Sequence, residues 1–256
     1  MQSNHCRQTA AAAAAAGLAC HLALGGQAPS LADGNLLLDH LLGAVVHWCG
    51  EHRRGEDIPA LAERLRGEGR RPYVIPFGGS NAVGATGFVA AVAELAEQLE
   101  AVGPVDVVVL PSASAGTHAG TVVGRDACGL ALDVVGIAID RPDPGQPPYE
   151  SDLASLANDV ARRIGGEPRY TPAQFRTAYG YFGGGYAVVG PAEREAIQLV
   201  ARTEGILLDP VYTGRAMAGL LDMVRRRLFA AGQTVLFWHT GGLPALFEHA
   251  KDLAPA

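Results

Sequence analysis

The chain has 256 residues, enough for one large domain or two small ones around a sizeable core. Its 48% hydrophobic and 18% charged residues exclude a disordered chain and suit a cytosolic α/β enzyme. A formal net charge of -6 and the absence of a basic block, with runs such as Arg162-Arg163 and Arg225-Arg226-Arg227 being short, leave no footprint for nucleic acid.

The chain opens "MQSNHCRQTAAAAAAAG". Ser3 or Asn4 is placed to cap a helix from about His5 to Ala16, because alanine is the strongest helix former and Gly17 is a natural stop. The apolar run Leu18–Leu24 predicts a buried strand. After a Gly-rich loop, "NLLLDHLLG" predicts a helix and "AVVHWCG" a strand, and Asp57–Gly69 has helical spacing with a glycine stop. "RPYVIPFGGSN", residues 71–81, predicts a strand that breaks into a Pro/Gly turn and crosses between two lobes. "AVGATGFVAAVAELAEQLEAVG" predicts a long helix whose small residues allow close packing. Val105–Pro111 lacks polar alternation, as a strand buried on both faces of a parallel sheet requires. "LDVVGIAID" predicts the next strand and Ser151–Ile164 the next helix. Residues 169–190, rich in Gly and Tyr, predict an irregular loop of a length that is usually functional or disordered. "PAEREAIQLVARTEG" and "VYTGRAMAGLLDMVRRRLFAAG" predict helices, "TVLFWHTGG" a last buried strand, and "LPALFEH" a last short helix. The alternation predicts an α/β protein of two lobes, with mostly parallel sheets and helices on both faces.

Cys6, Cys20, Cys49 and Cys128 include no CxxC pair and read as buried thiols of a reduced cytoplasmic protein. The histidines have no HExxH-type spacing, so no metal site is expected. The run Ala10–Ala16 is too short and too weakly apolar to span a bilayer, and no membrane partner is expected. The whole chain holds one lysine, Lys251.

The clearest chemical signal is "VDVVVLPSASAGTHAG", where a buried strand ends, small residues Ser112 to Gly116 turn, and a helix starts near Thr117. Backbone N–H groups and the positive helix end make such a turn a phosphate cradle, and Ser114 and Thr117 add hydroxyls; a tight turn that binds nothing has the same pattern. Without GxGxxG or a Walker lysine, dinucleotides and nucleoside triphosphates are not indicated. Ser3 and Asn4 either bind a carboxylate or ring substituent or serve as ordinary caps. "DPVYTG" puts Tyr212 and Thr213 at a helix start, and "HTGG" and "GGSN" are further polar turns. Tyr186 is an acid or base, a stacking ring, or a plain exposed tyrosine. These turns are expected at the carboxyl ends of strands, where open α/β sheets bind ligands.

Taken in order, "QSNHCRQTAA", "RPYVIPFGGSNAVGATGF", "SASAGTHAG", "LLDPVYTGRAMAGL" and "VLFWHTGGLPALF" resemble the D-cysteine desulfhydrase and aminocyclopropane-carboxylate (ACC) deaminase family. These are pyridoxal 5'-phosphate (PLP) enzymes of the tryptophan-synthase-β fold, fold type II. The resemblance implies that Asn4 lies beside the cofactor ring hydroxyl and Ser3 at the substrate carboxylate or reacting group. It places Ser114, Ala115, Gly116 and Thr117 in the phosphate loop, Tyr186 and Tyr212 near the substrate, and Thr213 facing the pyridine nitrogen. Deaminases that open the cyclopropane ring carry a glutamate at that last position. A neutral threonine holds the ring proton less firmly, which β-elimination tolerates because the leaving group takes the electrons. "HTGG" also looks more like the desulfhydrase branch. The implied reaction is a carbon–sulfur lyase reaction on D-cysteine, giving pyruvate, ammonia and sulfide. ACC and L-cysteate stay open as substrates. The resemblance further implies a homodimer, a small lobe over residues 1–70 and a large cofactor-binding lobe over residues 71–256.

The sequence departs from the family pattern at its front. Relatives carry, before "QSN", a "GGNKxRK"-like stretch whose lysine holds PLP as a Schiff base. No such stretch occurs here, and Lys251 in the tail does not match it. The expectation is an N-terminally truncated chain that starts inside the active site, through a mis-assigned Met1 or a shortened gene, and that is inactive as written.

Overall fold

The computed structural model describes residues 2–140 and 148–253. The chain folds into two compact units, the first of Met1–Gly79 with Pro244–Ala250 and the second of Ser80–Leu243 with Lys251–Ala256.

The first unit runs α1 (Asn4–Ala15), β1 (His21–Leu24), α2 (Gly34–Leu41), β2 (Val45–Trp48) and α3 (Ile58–Gly67). β1 and β2 pair in parallel, His21 opposite Val45 and Leu24 opposite Trp48. Leu22 and Leu24, two apart and so on one face, meet Ala10 of α1 and Leu36 of α2 in a small core. β1 starts later than expected because Leu18 belongs to the helix stop: Gly17 is left-handed (φ 66°) and the Leu18 N–H reaches the Ala13 carbonyl at 2.9 Å. The strand expected over residues 71–81 does not form either. Residues 71–76 pair with no strand and close in a 3-10 turn, Phe77–Gly79. Pro72 and Pro76 lack the N–H a ladder needs, so Tyr73, Val74 and Ile75 stand exposed.

The second unit runs α4 (Ala82–Val102), β3 (Val107–Ser112), α5 (Gly116–Ala127), β4 (Asp133–Ala138), α6 (Tyr149–Arg163), β5 (Arg176–Ala178), α7 (Pro191–Glu204), α8 (Thr213–Arg225) and β6 (Val235–Phe237). Its sheet has the order β5-β4-β3-β6, every pair parallel. β5 lies inside the stretch expected to be irregular; its Arg-Thr-Ala sequence has no apolar run to announce it. Side chains alternate across the sheet. Val108, Leu110 and Val134 pack toward α4, α5 and α6, while Val107, Val109, Val135 and Ile137 pack toward α8. Helices therefore cover both faces.

α4 and α5 approach closely because α5 has glycines where they touch. A Cβ at Gly120 would lie 2.4 Å from the Ala85 carbonyl oxygen, and one at Gly124 2.8 Å from Val92 Cβ. Among the described residues α4 is the one helix long and apolar enough to cross a membrane; its Ala85, Val92 and Leu95 are buried within the fold. All four cysteines are free thiols.

Candidate active site

β3 ends at Ser112, and residues 113–115 turn the chain into α5. Ala115 occupies the N-cap position with a left-handed backbone, φ 75°, which is uncommon for a residue bearing a Cβ. Ala115 itself has no side chain that could cap α5. The first N–H groups of a helix have no intrahelical acceptor, so this start offers donors to an anion. Ser80 Oγ donates to Ser114 Oγ (2.8 Å) and accepts the Gly116 N–H (3.2 Å). A Cβ at Gly116 would sit 2.9 Å from Ser80 Oγ, so glycine permits this approach. The Tyr149 hydroxyl accepts the Ala115 N–H at 3.0 Å and lies 2.9 Å from Ser112 Oγ, which in turn lies 3.0 Å from His118 Nδ1. Burial pushes the Tyr149 pKa up to about 12 and that of His118 down to about 4, so both are neutral near pH 7. A cavity of about 90 Å³ opens on the turn; Ser114, Ala115, Gly116, Thr117, Tyr212 and Thr240 line it, and no acidic residue does.

The Tyr212 hydroxyl lies 2.6 Å from that of Tyr186, with the rings edge-on and their centroids 6.3 Å apart. Burial raises the Tyr186 pKa and the bond to Tyr212 offsets part of the rise, so Tyr186 keeps its proton near neutral pH. The loop that carries Tyr186 is held by Arg215, which is fully buried. Its Nη2 donates to the carbonyls of Gly185 (3.0 Å) and Val188 (2.9 Å), its Nη1 to that of Ile139 (2.7 Å), and its Nε to Glu193 Oε1 (2.9 Å). Glu193 Oε2 accepts the Gly190 N–H at 3.1 Å. Sequence reading missed this pair; its trace is a single arginine on the apolar face of α8.

Thr213 is fully buried and turned onto Asp209. Its hydroxyl donates to Asp209 Oδ1 (2.8 Å) and accepts the Asp209 N–H (2.8 Å). Asp209 Oδ1 also accepts the Thr213 N–H (2.7 Å), and Oδ2 accepts those of Val211 and Tyr212 (both 2.9 Å). One carboxyl group thus organises the start of α8. The "HTGG" turn closes over it: Gly242 is left-handed (φ 104°), and a Cβ there would lie 2.6 Å from Asp209 Cβ. His239 Nδ1 accepts the Gly241 N–H (3.0 Å), so Nε2 carries the proton and donates to the Leu207 carbonyl (3.0 Å).

Ser3 and Asn4 belong to the first unit. Ser3 Oγ caps α1 by accepting the Cys6 N–H (3.2 Å). Asn4 Oδ1 accepts from Asn35 Nδ2 (2.7 Å), and Gln2 Oε1 accepts the Asn35 N–H (2.6 Å). Gln2 Nε2 donates to Asp33 Oδ1 (3.1 Å) and to Glu248 Oε2. The buried Asn35, which nothing in the sequence singled out, thereby fixes "QSN". Within the second unit the structure gathers Ser114, Ala115, Gly116, Thr117 and Tyr212 round one cavity, adds Tyr186 through Tyr212, and seats Thr213 behind them on Asp209. Among the described residues no group of three His, Cys, Asp or Glu is placed to hold a metal ion.

A parallel sheet with helices on both faces and an anion-ready turn at a strand's carboxyl end define a cofactor-binding α/β enzyme class. The chain belongs to the pyridoxal-phosphate dependent enzyme family, whose sequence pattern matches residues 1–241. It is 40% identical over 259 residues to a D-cysteine desulfhydrase of Klebsiella pneumoniae (strain 342), covering 99% of this chain and 77% of that protein. The crystal structure of an ACC deaminase homologue superposes with a TM-score of 0.86 at 35% identity, over 98% of this chain and 74% of that one. A cysteine synthase of Entamoeba histolytica shares the fold (TM-score 0.63, 12% identity, 100% of this chain and 71% of that one). The fold is accordingly PLP fold type II, and the cofactor is PLP. The residues present fit its phosphate: a helix start, the hydroxyls of Ser114, Thr117, Tyr212 and Thr240, and no carboxylate round the cavity.

Proposed function

We propose that the protein is a lyase that eliminates the β-substituent of a small amino acid, with D-cysteine and water becoming pyruvate, ammonia and sulfide. The observation that carries this reading is the Tyr186–Tyr212 hydroxyl pair, whose Tyr212 lines the same cavity as the phosphate turn. The 40% identity to a protein named D-cysteine desulfhydrase supports it. Bound PLP supplies the sink for the electrons of the substrate Cα–H bond. Ser114, Thr117 and the start of α5 bind the phosphate, on a turn that Ala115 and Gly116 shape. Asn4 binds the ring hydroxyl and Ser3 the substrate carboxylate. Thr213 faces the ring nitrogen; its hydroxyl hydrogen is given to Asp209, so it offers that nitrogen a lone pair. Tyr186 or Tyr212 places a proton on the leaving sulfur, and its partner, 2.6 Å away, replaces it. A homodimer is also part of this reading, as the family resemblance implies.

The test is to supply the PLP-loaded protein with D-cysteine, L-cysteate and ACC. Sulfide and pyruvate from D-cysteine, lost in Tyr186→Phe, support the reading. Turnover of ACC alone moves the protein to the deaminase alternative, and turnover of L-cysteate alone to that of an L-cysteate lyase. One observation favours a second reading, a PLP binder without turnover: the single lysine, Lys251, lies on the short helix Ala250–Leu253 and does not line the cavity. Borohydride treatment followed by intact mass separates the two. Cofactor mass trapped on the chain favours the lyase; bound but untrappable cofactor favours the binder.

A further inference from the structure

We infer that Tyr149 is a positioning residue for the phosphate turn, its hydroxyl holding Ala115 in the left-handed backbone from which α5 starts. The inference rests on the phosphate reading above and goes beyond it, because Tyr149 is not among the residues lining the cavity.

The backbone of Ala115 is costly to hold. A residue with a Cβ at φ 75° is disfavoured and persists only where the surroundings impose it. Two bonds hold Ala115: its carbonyl accepts the Ala119 N–H at 2.9 Å, as at any helix start, and its N–H donates to the Tyr149 hydroxyl at 3.0 Å, the one side-chain contact that fixes its backbone on the side away from the helix. That hydroxyl is fixed in turn by Ser112 Oγ at 2.9 Å, and Ser112 by His118 Nδ1 at 3.0 Å. Tyr149 opens α6, Ser112 ends β3 and His118 lies in the first turn of α5, so the chain of hydroxyls ties three elements to one turn. β4 makes room for it at Gly136, where a Cβ would come within 2.4 Å of His118 Nδ1 and 2.8 Å of Ser112 Cβ. The Ala115 and Gly116 N–H groups are both engaged by protein hydroxyls, Tyr149 and Ser80. They set the shape of the turn and leave the following N–H groups of α5 for the ligand.

Tyr149→Phe keeps the ring and removes only the hydroxyl. Calorimetric titration with PLP and with pyridoxal, which lacks the phosphate, isolates the phosphate contribution. The expected result is a loss of about tenfold in affinity for PLP, the worth of one buried hydrogen bond, with pyridoxal binding unchanged. Ala115→Gly in the Tyr149→Phe background restores most of the loss, because glycine adopts φ 75° unaided. Tyr179→Phe, which removes a hydrogen bond to the neighbouring Glu150 without touching the turn, leaves the PLP-to-pyridoxal ratio where it was. Ser112→Ala gives the same ordering with a loss of about threefold and does not depend on the folding of Tyr149→Phe. Equal losses for both ligands, no rescue by glycine, or an unchanged ratio in Tyr149→Phe or Ser112→Ala overturns the inference. A parent protein that does not prefer PLP over pyridoxal overturns the phosphate reading itself, and this inference with it.

Discussion

The turn at Ala115 and the loop at Tyr186 belong to the same unit but are held by different chemistry. Neutral hydroxyls of Tyr149, Ser112 and Ser80 fix the turn, each through one or two bonds. A single buried guanidinium, Arg215, fixes the loop through Glu193 and three carbonyls. Hydroxyls can be removed one at a time at modest cost, whereas a buried ion pair fails as a whole, because its surviving partner is left charged and dry. The turn should therefore be tunable and the loop all-or-none.

The largest effect is expected at the loop. Arg215→Met leaves Glu193 buried without its cation and should cost about 3–5 kcal/mol in urea unfolding. The double variant Arg215→Met, Glu193→Met should recover much of that; equal losses in single and double variants would break the contrast.

Acid should then probe the neutral side. His118 is held neutral in the fold, with a pKa near 4 against an ordinary 6.5, so on acidification the unfolded chain takes a proton that the folded one refuses. Stability should be full above pH 6.5 and fall by about 3 kcal/mol as pH drops to 4. His118→Asn, whose amide oxygen can replace Nδ1, should flatten the curve between those limits.

Asp39 in the first unit gives the opposite sign. Both its oxygens are buried and find no hydrogen-bond partner among the described residues, and burial raises its pKa from 3.8 to about 6. The folded state holds that proton more tightly, so this contribution is present at low pH and is lost as pH rises from about 4 to 6. Asp39→Asn should gain about 2 kcal/mol over the parent at pH 7 and nothing at pH 3. The smallest change is expected for Ser80→Ala, about 1 kcal/mol in unfolding, together with weaker PLP binding through Ser114 and Gly116.

Much of this architecture could be read from local pattern. The unbroken apolar runs of β3 and β4 and the glycine after "SASA" announced a parallel strand entering a helix, and the ordered motifs gave the family. The misreadings have local causes too. Tyr73, Val74 and Ile75 look like a strand until Pro72 and Pro76 are charged with their missing N–H groups, and β5 has no apolar run to declare it. What local pattern could not supply is the support of the site. Asn35 reaches Gln2 and Asn4 across 33 and 31 positions, Arg215 reaches Glu193 across 22, and Tyr149 reaches Ala115 across 34. Such roles exist only once distant elements meet, and a lone tyrosine after a proline run carries no sign of them.

The sheet order bears on how the protein is made. β6 pairs with β3, and the Thr234 N–H reaches the Asp106 carboxylate across 128 positions. While the ribosome is still synthesising the intervening chain, β3, apolar along nearly its whole length, has one edge without its neighbour. Nascent chains stalled before Val235 should hold chaperone, and release it when the last strand emerges and docks.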